Sequence, residues 1–378
     1  MSRPHDGHRL FFPFGNPFRM ILPRGSSLSP KLKSILNSFE ETLADRFKKL
    51  KPKDEAEIVS LSWMRYAMES LSETHKDIKI LITDLQFPVS YWDGQWMDMY
   101  LDNSVKLLDL CISFSSEISR LDQGQLLLQY ALHVMSLTSD FPSAEQLKRV
   151  HSSLNDWLQQ ISSSSSKLGN SCFILQELVR SLCFTKVKNS AKGKILMRAM
   201  YGVKLHTIFV CSVFSAAFMS SNPRLDLEVS DKVPWAESFT DLQTYVNGEI
   251  RSRISSGRPM ILRELEAVSY CVENLHALIG GTAQIDVESF QKENGIDHVE
   301  DESLQNCNDR KERNRIEELQ VWVAKLGDSA EKVANGLDLL SKQVGDFFQI
   351  VLSGRDALLS NLRVSDVMEG NDVDKDRL

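Results

Sequence analysis

The stretch KLHTIFVCSVFSAAFMSS, Lys204 to Ser221, is the most apolar in the chain, and how it is read decides the fold. From Leu205 to Met219 only His206, Thr207, Ser212 and Ser215 interrupt it, about 15 residues where spanning a hydrocarbon core takes about 20. Extending the helix back to Ile195 adds length but brings in Arg198 and Lys204, each costing about 2.5–3.5 kcal/mol at a bilayer centre. Cys211, Ser212, Ser215, Ala216 and Ser220 make small-xxx-small steps, which permit close helix contact in membranes and in soluble bundles alike. Three readings stay open. The helix carrying Leu205, Ile208, Phe209, Val210, Val213, Phe214 and Phe218 is the buried centre of a bundle. Alternatively it lies in or on a membrane, with Lys186, Lys188, Lys192, Lys194 and Arg198 on anionic headgroups at roughly 1 kcal/mol per cation. In the third, that basic flank meets another acidic partner.

The rest of the chain is helical in pattern. Leu32, Ile35, Leu36, Phe39, Leu43, Phe47 and Leu50 recur at steps of three and four, and Pro52 and Asp54 close that helix and open the next. Leu61, Met64, Met68, Leu71, His75, Ile78, Ile82 and Leu85 then form a heptad seam that ends at QFPVSYWDG. Further helices are expected over Gln95–Leu121, Gly124–Leu137, Ser143–Ile161 and Lys167–Cys183, with Ser162–Ser166 as a flexible connector. The last seam, Ile316 to Val351, covers about 35 residues or about 50 Å and requires long partners. Gly336, Gly345 and Gly354 beside it let another helix approach closely. With no strand-like alternation, the expected fold is all-α, an elongated antiparallel bundle of long coiled-coil-like helices. Its domain covers 28–366. A Pro- and Phe-rich extended arm precedes it over 1–27, a disordered acidic loop occupies 280–315, and a disordered tail follows over 367–378.

Composition narrows the function. The 378 residues are 42% hydrophobic, enough for a sizeable core, and the net charge of -7 argues against a nucleic-acid binder. Six scattered cysteines, no N-x-[ST] sequon and no continuous apolar leader point to an intracellular, reducing location, cytoplasmic or endomembrane-associated, with a plastid as the alternative. No two histidines stand at the i, i+4 spacing of a helical zinc site, and the usual nucleophile and phosphate-loop motifs are missing. Carboxylate neighbours such as Glu40 and Glu41, or Glu317 and Glu318, read as solvated helix faces. His75 sits on an apolar seam and reads as a core histidine. No catalytic, metal or cofactor residues are therefore assigned.

The stretches FFPFGNPFRMILP, LSWMRYAMESLSETHKDIKILITDLQFPVSYWD, YLDNSVKLLDLC, KVKNSAKGKILMRAMYGVKLHTIFVCSVFSAA and FFQIVLSGRDALLSNLRVSD resemble the plant BYPASS family of developmental regulators. The resemblance runs from about Met1 to Asp366 and leaves out the acidic loop and the tail. It implies a non-enzymatic regulator that restrains a root-derived, carotenoid-linked mobile signal arresting shoot growth, with protein partners that include exocyst subunits. The expectation drawn from residues and resemblance together is a helical adaptor that touches a membrane peripherally or through one helix. The rival is an enzyme or carrier for an apolar metabolite held between helices near His75, Trp63 or Trp92.

Overall fold

Short polar caps start the helices where the apolar periodicity begins. Ser29, followed by Pro30, accepts a hydrogen bond from the Leu32 amide at 3.3 Å, and Ser60 accepts one from the Trp63 amide at 3.1 Å. Ser143 and Gln146 form a reciprocal capping box. The second helix is thus opened by Ser60, six residues beyond the Asp54 expected from sequence.

The computed structural model describes residues 28–54, 58–85, 94–136, 142–163, 166–182, 191–219, 226–256, 261–292 and 302–375. Among the described residues there are nine helices and no strand. They are α1 (Pro30–Leu50), α2 (Leu61–Asp84), α3 (Gly94–Ser136), α4 (Ala144–Ser162), α5 (Ser166–Arg180), α6 (Ala191–Met219), α7 (Ala236–Ser255), α8 (Arg263–Lys292) and α9 (Glu302–Lys375). The all-α expectation holds. The 1–27 arm lies outside the described residues, as do Lys186, Lys188 and Trp92.

Helix α6 is the axis of the fold. It packs against α1, α2, α3 and α5, and Phe209 meets Phe239 of α7 edge to face. Leu205, Ile208, Phe209, Val210, Val213, Phe214 and Phe218 are all between 0% and 8% exposed. Each such side chain contributes about 1.5–3 kcal/mol through burial. One hydrophobic cluster runs from Leu36 through α6 to Leu358, and the α2 and α9 seams feed it as their spacing predicts.

Two directions of packing coexist, which differs from a wholly antiparallel bundle. Helices α3 and α9 run antiparallel, with Arg355 donating to the Leu101 carbonyl at 2.8 Å; α3 and α4 do the same, with Ser153 donating to the Leu127 carbonyl at 2.9 Å. Helices α2 and α9 run in the same direction, since Leu61 lies at Gly336 while His75 meets the Phe347 ring. So do α1 and α6, where Glu40 pairs with Arg198 and Phe47 with His206. Only helices joined by a short connector are obliged to reverse, and these two pairs are far apart in sequence.

Helix α3 is continuous for 43 residues, through the position at which two separate helices were expected. A glycine in a helix costs about 1 kcal/mol, too little to break this one. A Cβ on Gly124 would meet the Trp157 ring at 3.4 Å, an ordinary contact, so the position faces α4 without requiring a glycine. Helical backbone also covers much of the 280–315 segment and of the 367–378 tail, since α8 continues to Lys292, α9 begins at Glu302 and it ends at Lys375. Glu, Gln, Lys and Arg favour helix whether or not a face is buried, which composition-based reading of disorder ignores.

The α1–α2 connector is gripped by the start of α8. The Leu61 amide donates to both Glu264 carboxylate oxygens, at 3.0 and 3.1 Å, and the Arg263 amide donates to the Val59 carbonyl at 3.3 Å. Val59 has φ of 62°, a left-handed conformation that a β-branched residue adopts only when its surroundings impose it.

Candidate functional site

Helices α2 and α6 meet through a reciprocal polar pair inside the apolar core. Thr74 and His75 on α2 face His206 and Thr207 on α6, with Thr74 Oγ1 3.1 Å from His206 Nδ1 and His75 Nε2 3.1 Å from Thr207 Oγ1. Both threonine hydroxyls donate back to their own helix, Thr74 to the Ser70 carbonyl at 2.9 Å and Thr207 to the Val203 carbonyl at 2.8 Å. Each hydroxyl therefore accepts from its histidine, which assigns the proton to Nε2 of His75 and to Nδ1 of His206. That leaves the fully buried His206 Nε2 without a partner. Burial pushes the His75 pKa down to about 4; burial, the Arg46 charge and His75 take His206 to about 3. Both rings are neutral at pH 7.

His75 and Thr207 line a cavity of about 50 Å³ that five helices enclose, with Tyr100, Asn103 and Lys204 around it and Leu178 and Val351 closing its sides. A neighbouring cavity of about 30 Å³ shares Asn103, Met200 and Lys204. Lys204 donates to the Ser181 carbonyl at 2.9 Å and to its hydroxyl at 2.8 Å. A single water needs about 10–15 Å³, whereas an engineered cavity that binds benzene measures about 150 Å³. The space beside His75 therefore suits a few waters. Trp63 is elsewhere, buried with its Nε1 donating to the Leu50 carbonyl at 3.0 Å.

The expected basic flank divides. Arg198 is folded inward: its Nε and Nη2 donate to Glu40 Oε1 and Oε2 at 2.6 and 3.0 Å across the α1–α6 contact. The Glu40 side chain is only 2% exposed, which corrects its expected place on a solvated face and removes Arg198 from any headgroup. Burial raises the Glu40 pKa, and Arg198 works against that rise. Glu40 stands in line with Leu36, Leu43 and Phe47 at helical spacing, a signal already in the sequence. Lys192 and Lys194 are half-buried at the start of α6. By length and composition α6 is able to cross a membrane, but 83% of its most apolar 18-residue window is buried inside this fold.

A broader feature lies on the outside. An open groove of about 810 Å³ runs between α3 and α9 to the start of α5, lined by Ile112, Ser115, Ser119, Arg120, Lys167 and Phe348 among others. On α3 the exposed Val105, Ile112 and Leu126 recur at steps of seven and fourteen, and Tyr130 follows one turn on. Sequence reasoning missed this stripe because it sought apolar residues only for the interior.

Fold and site define an all-helical protein with an apolar core that encloses one polar cluster, and with long, partly apolar outer faces. Residues 24–193 match the family model described as Protein ROH1-like. The chain is 46% identical to Protein BPS1, chloroplastic, of Arabidopsis thaliana, over 96% of this chain and 93% of that protein. It is 41% identical to UPF0496 protein 4 of Oryza sativa subsp. japonica and, equally, to that of subsp. indica, over 97% of this chain and 98% of theirs. No solved structure matches. The chain belongs to the BYPASS-related plant family.

Proposed function

We propose that the protein is a non-enzymatic regulator of plant development that acts as a helical adaptor, holding a partner's amphipathic helix along α3. The observation that carries this reading is the heptad-spaced stripe of Val105, Ile112 and Leu126, 42%, 48% and 65% exposed, beside the groove that Phe348 helps to line. Such spacing on the outside of a long helix matches what a second helix buries when it packs knobs into holes. The role within the plant is to restrain a root-derived, carotenoid-linked signal that arrests shoot growth, and exocyst subunits are the partners to test first. The word chloroplastic in the Arabidopsis relative's name supports a plastid location, with the cytoplasm or an endomembrane as the alternative.

A carrier or enzyme for an apolar metabolite is the second reading, favoured by the place of the cavity against His75 and disfavoured by its volume of about 50 Å³. The two readings separate in one experiment. Plants lacking the protein are complemented with Ile112→Asp/Leu126→Asp, or with Val203→Phe, which fills the cavity; both proteins are first checked for folding by circular dichroism. The adaptor reading requires the surface variant to fail and the cavity variant to rescue. Full rescue by the surface variant refutes it.

A further inference from the structure

We propose that Ser163 is a phosphorylation site whose phosphate is received by Arg120 and Lys167. Ser163 is the C-terminal cap of α4, exposed, and begins the short connector to α5. Its Oγ lies 3.5 Å from Arg120 Nη1, a distance too long for a strong hydrogen bond donated by the guanidinium to a neutral hydroxyl. The guanidinium is nevertheless held in place: its Nε donates to the Glu117 carboxylate at 3.0 Å, its Nη1 also donates to the Gln160 carbonyl, and its side chain is 18% exposed. Gln160 completes the clamp by donating its side-chain amide to the Arg120 carbonyl at 2.8 Å. The cation is thus fixed on α3 and turned toward an exposed hydroxyl on another element.

The neighbouring groups suit a dianion. Lys167 lines the same groove as Arg120, together with Ser115, Ser116, Ser119 and Gln123. The nearby α5 begins at Ser166, so its N-terminal amides add a partial positive charge. Of the two serines at this end of α4, Ser163 is the one whose hydroxyl the Arg120 guanidinium reaches; the Ser162 hydroxyl donates to the Leu158 carbonyl at 2.8 Å within α4. The Glu117 carboxylate, 1% exposed, opposes the phosphate but is engaged by Nε and Nη2, leaving Nη1 on the Ser163 side.

A protein kinase transfers the γ-phosphoryl group of ATP: the Oγ–P bond forms as the P–O bond to ADP breaks, and the hydroxyl proton passes to the kinase's base. The ester oxygen no longer donates to the Gln160 carbonyl, as the hydroxyl does at 2.8 Å. That carbonyl keeps the Arg120 guanidinium and the Ser163 amide as donors. The phosphate adds about -1.5 to -2 charges with three acceptor oxygens beside two cations, pinning α4 to α3 and reversing the charge at this end of the groove. The modification stands on this geometry alone; only its effect on a docked helix rests on the adaptor reading.

Full-length protein purified from plant tissue is digested and the peptide across the connector sequenced by mass spectrometry, which should place phosphate on Ser163. In parallel, phosphoserine is installed at 163 in recombinant full-length protein and its second ionisation followed by phosphorus NMR. The bound cations should lower that pKa from about 6 by about half a unit or more, and Lys167→Gln, exposed and outside the core, should return part of the shift. Arg120→Gln should return more of it. Absence of phosphate on Ser163 in tissue, or a phosphate whose pKa is near 6 and indifferent to both substitutions, overturns the proposal. Equal thermal stabilisation of unmodified protein by inorganic phosphate would mean a general anion site and would overturn the assignment to Ser163.

Discussion

His75 and His206 are kept neutral by burial and oriented by two threonines, each of which has its own donor committed elsewhere. Replacing Thr207 by Val removes the acceptor of His75 Nε2–H without changing side-chain shape. Unfolding by urea at pH 7 should show a loss of about 1–3 kcal/mol, which Thr207→Ser largely restores. Acid acts on the same groups. Their folded pKa values, about 4 and about 3, lie below the unfolded value of 6.5, so the unfolded chain binds more protons between those limits. Stability is fully present above pH 6.5 and falls as the pH drops toward 4 and then 3, by roughly 3 kcal/mol for His75 alone. His75→Gln should flatten the upper part of that decline, measured as the urea midpoint against pH. Glu40 has the opposite sign, because its raised pKa favours the folded state as the carboxyl becomes protonated. The apolar seam already marked His75 as a core residue. Its partner was not legible, since Thr207 is 132 residues away and only the fold brings them together.

At the scale of elements, two glycines of α9 make opposite predictions. A Cβ on Gly336 would stand 2.7 Å from Leu61 Cδ1 and 3.1 Å from Leu61 Cβ, so Gly336→Ala forces α2 and α9 apart and should cost about 1–3 kcal/mol. A Cβ on Gly345 meets nothing within 4 Å, and Gly345→Ala should stabilise by up to about 1 kcal/mol through helix propensity. Thermal melts of the two variants check both signs. Periodicity identified the α9 seam because burial on a long helix repeats every 3.5 residues or so, and nearly all of that seam is buried as its spacing predicts. It failed at Gly124, where the cost of one glycine is too small to end a helix whose Leu121 and Leu128 on either side are buried.

For the whole molecule the decisive element is α6. Its sequence left core and membrane open because each environment rewards the same apolar surface, and the difference lies in what surrounds it. Five other helices bury it here, and the arginine that would have faced lipid is paired with Glu40 instead. Arg198→Ala should therefore cost about 3–5 kcal/mol by stranding the Glu40 carboxylate, whereas Glu40→Leu with Arg198→Met should recover most of that loss. A double-mutant cycle by urea unfolding tests the pair, and recovery to neither partner's level would count against a shared buried site.

The most direct test of α6 as the core is flotation of full-length protein from plant cells followed by carbonate extraction, set beside Val210→Asp. Wild type should be released into the aqueous phase even where it is peripherally bound, and Val210→Asp, which buries a carboxylate at a fully enclosed site, should unfold. A wild-type protein that floats and resists carbonate would contradict the account, because α6 would then have exchanged its helical neighbours for lipid.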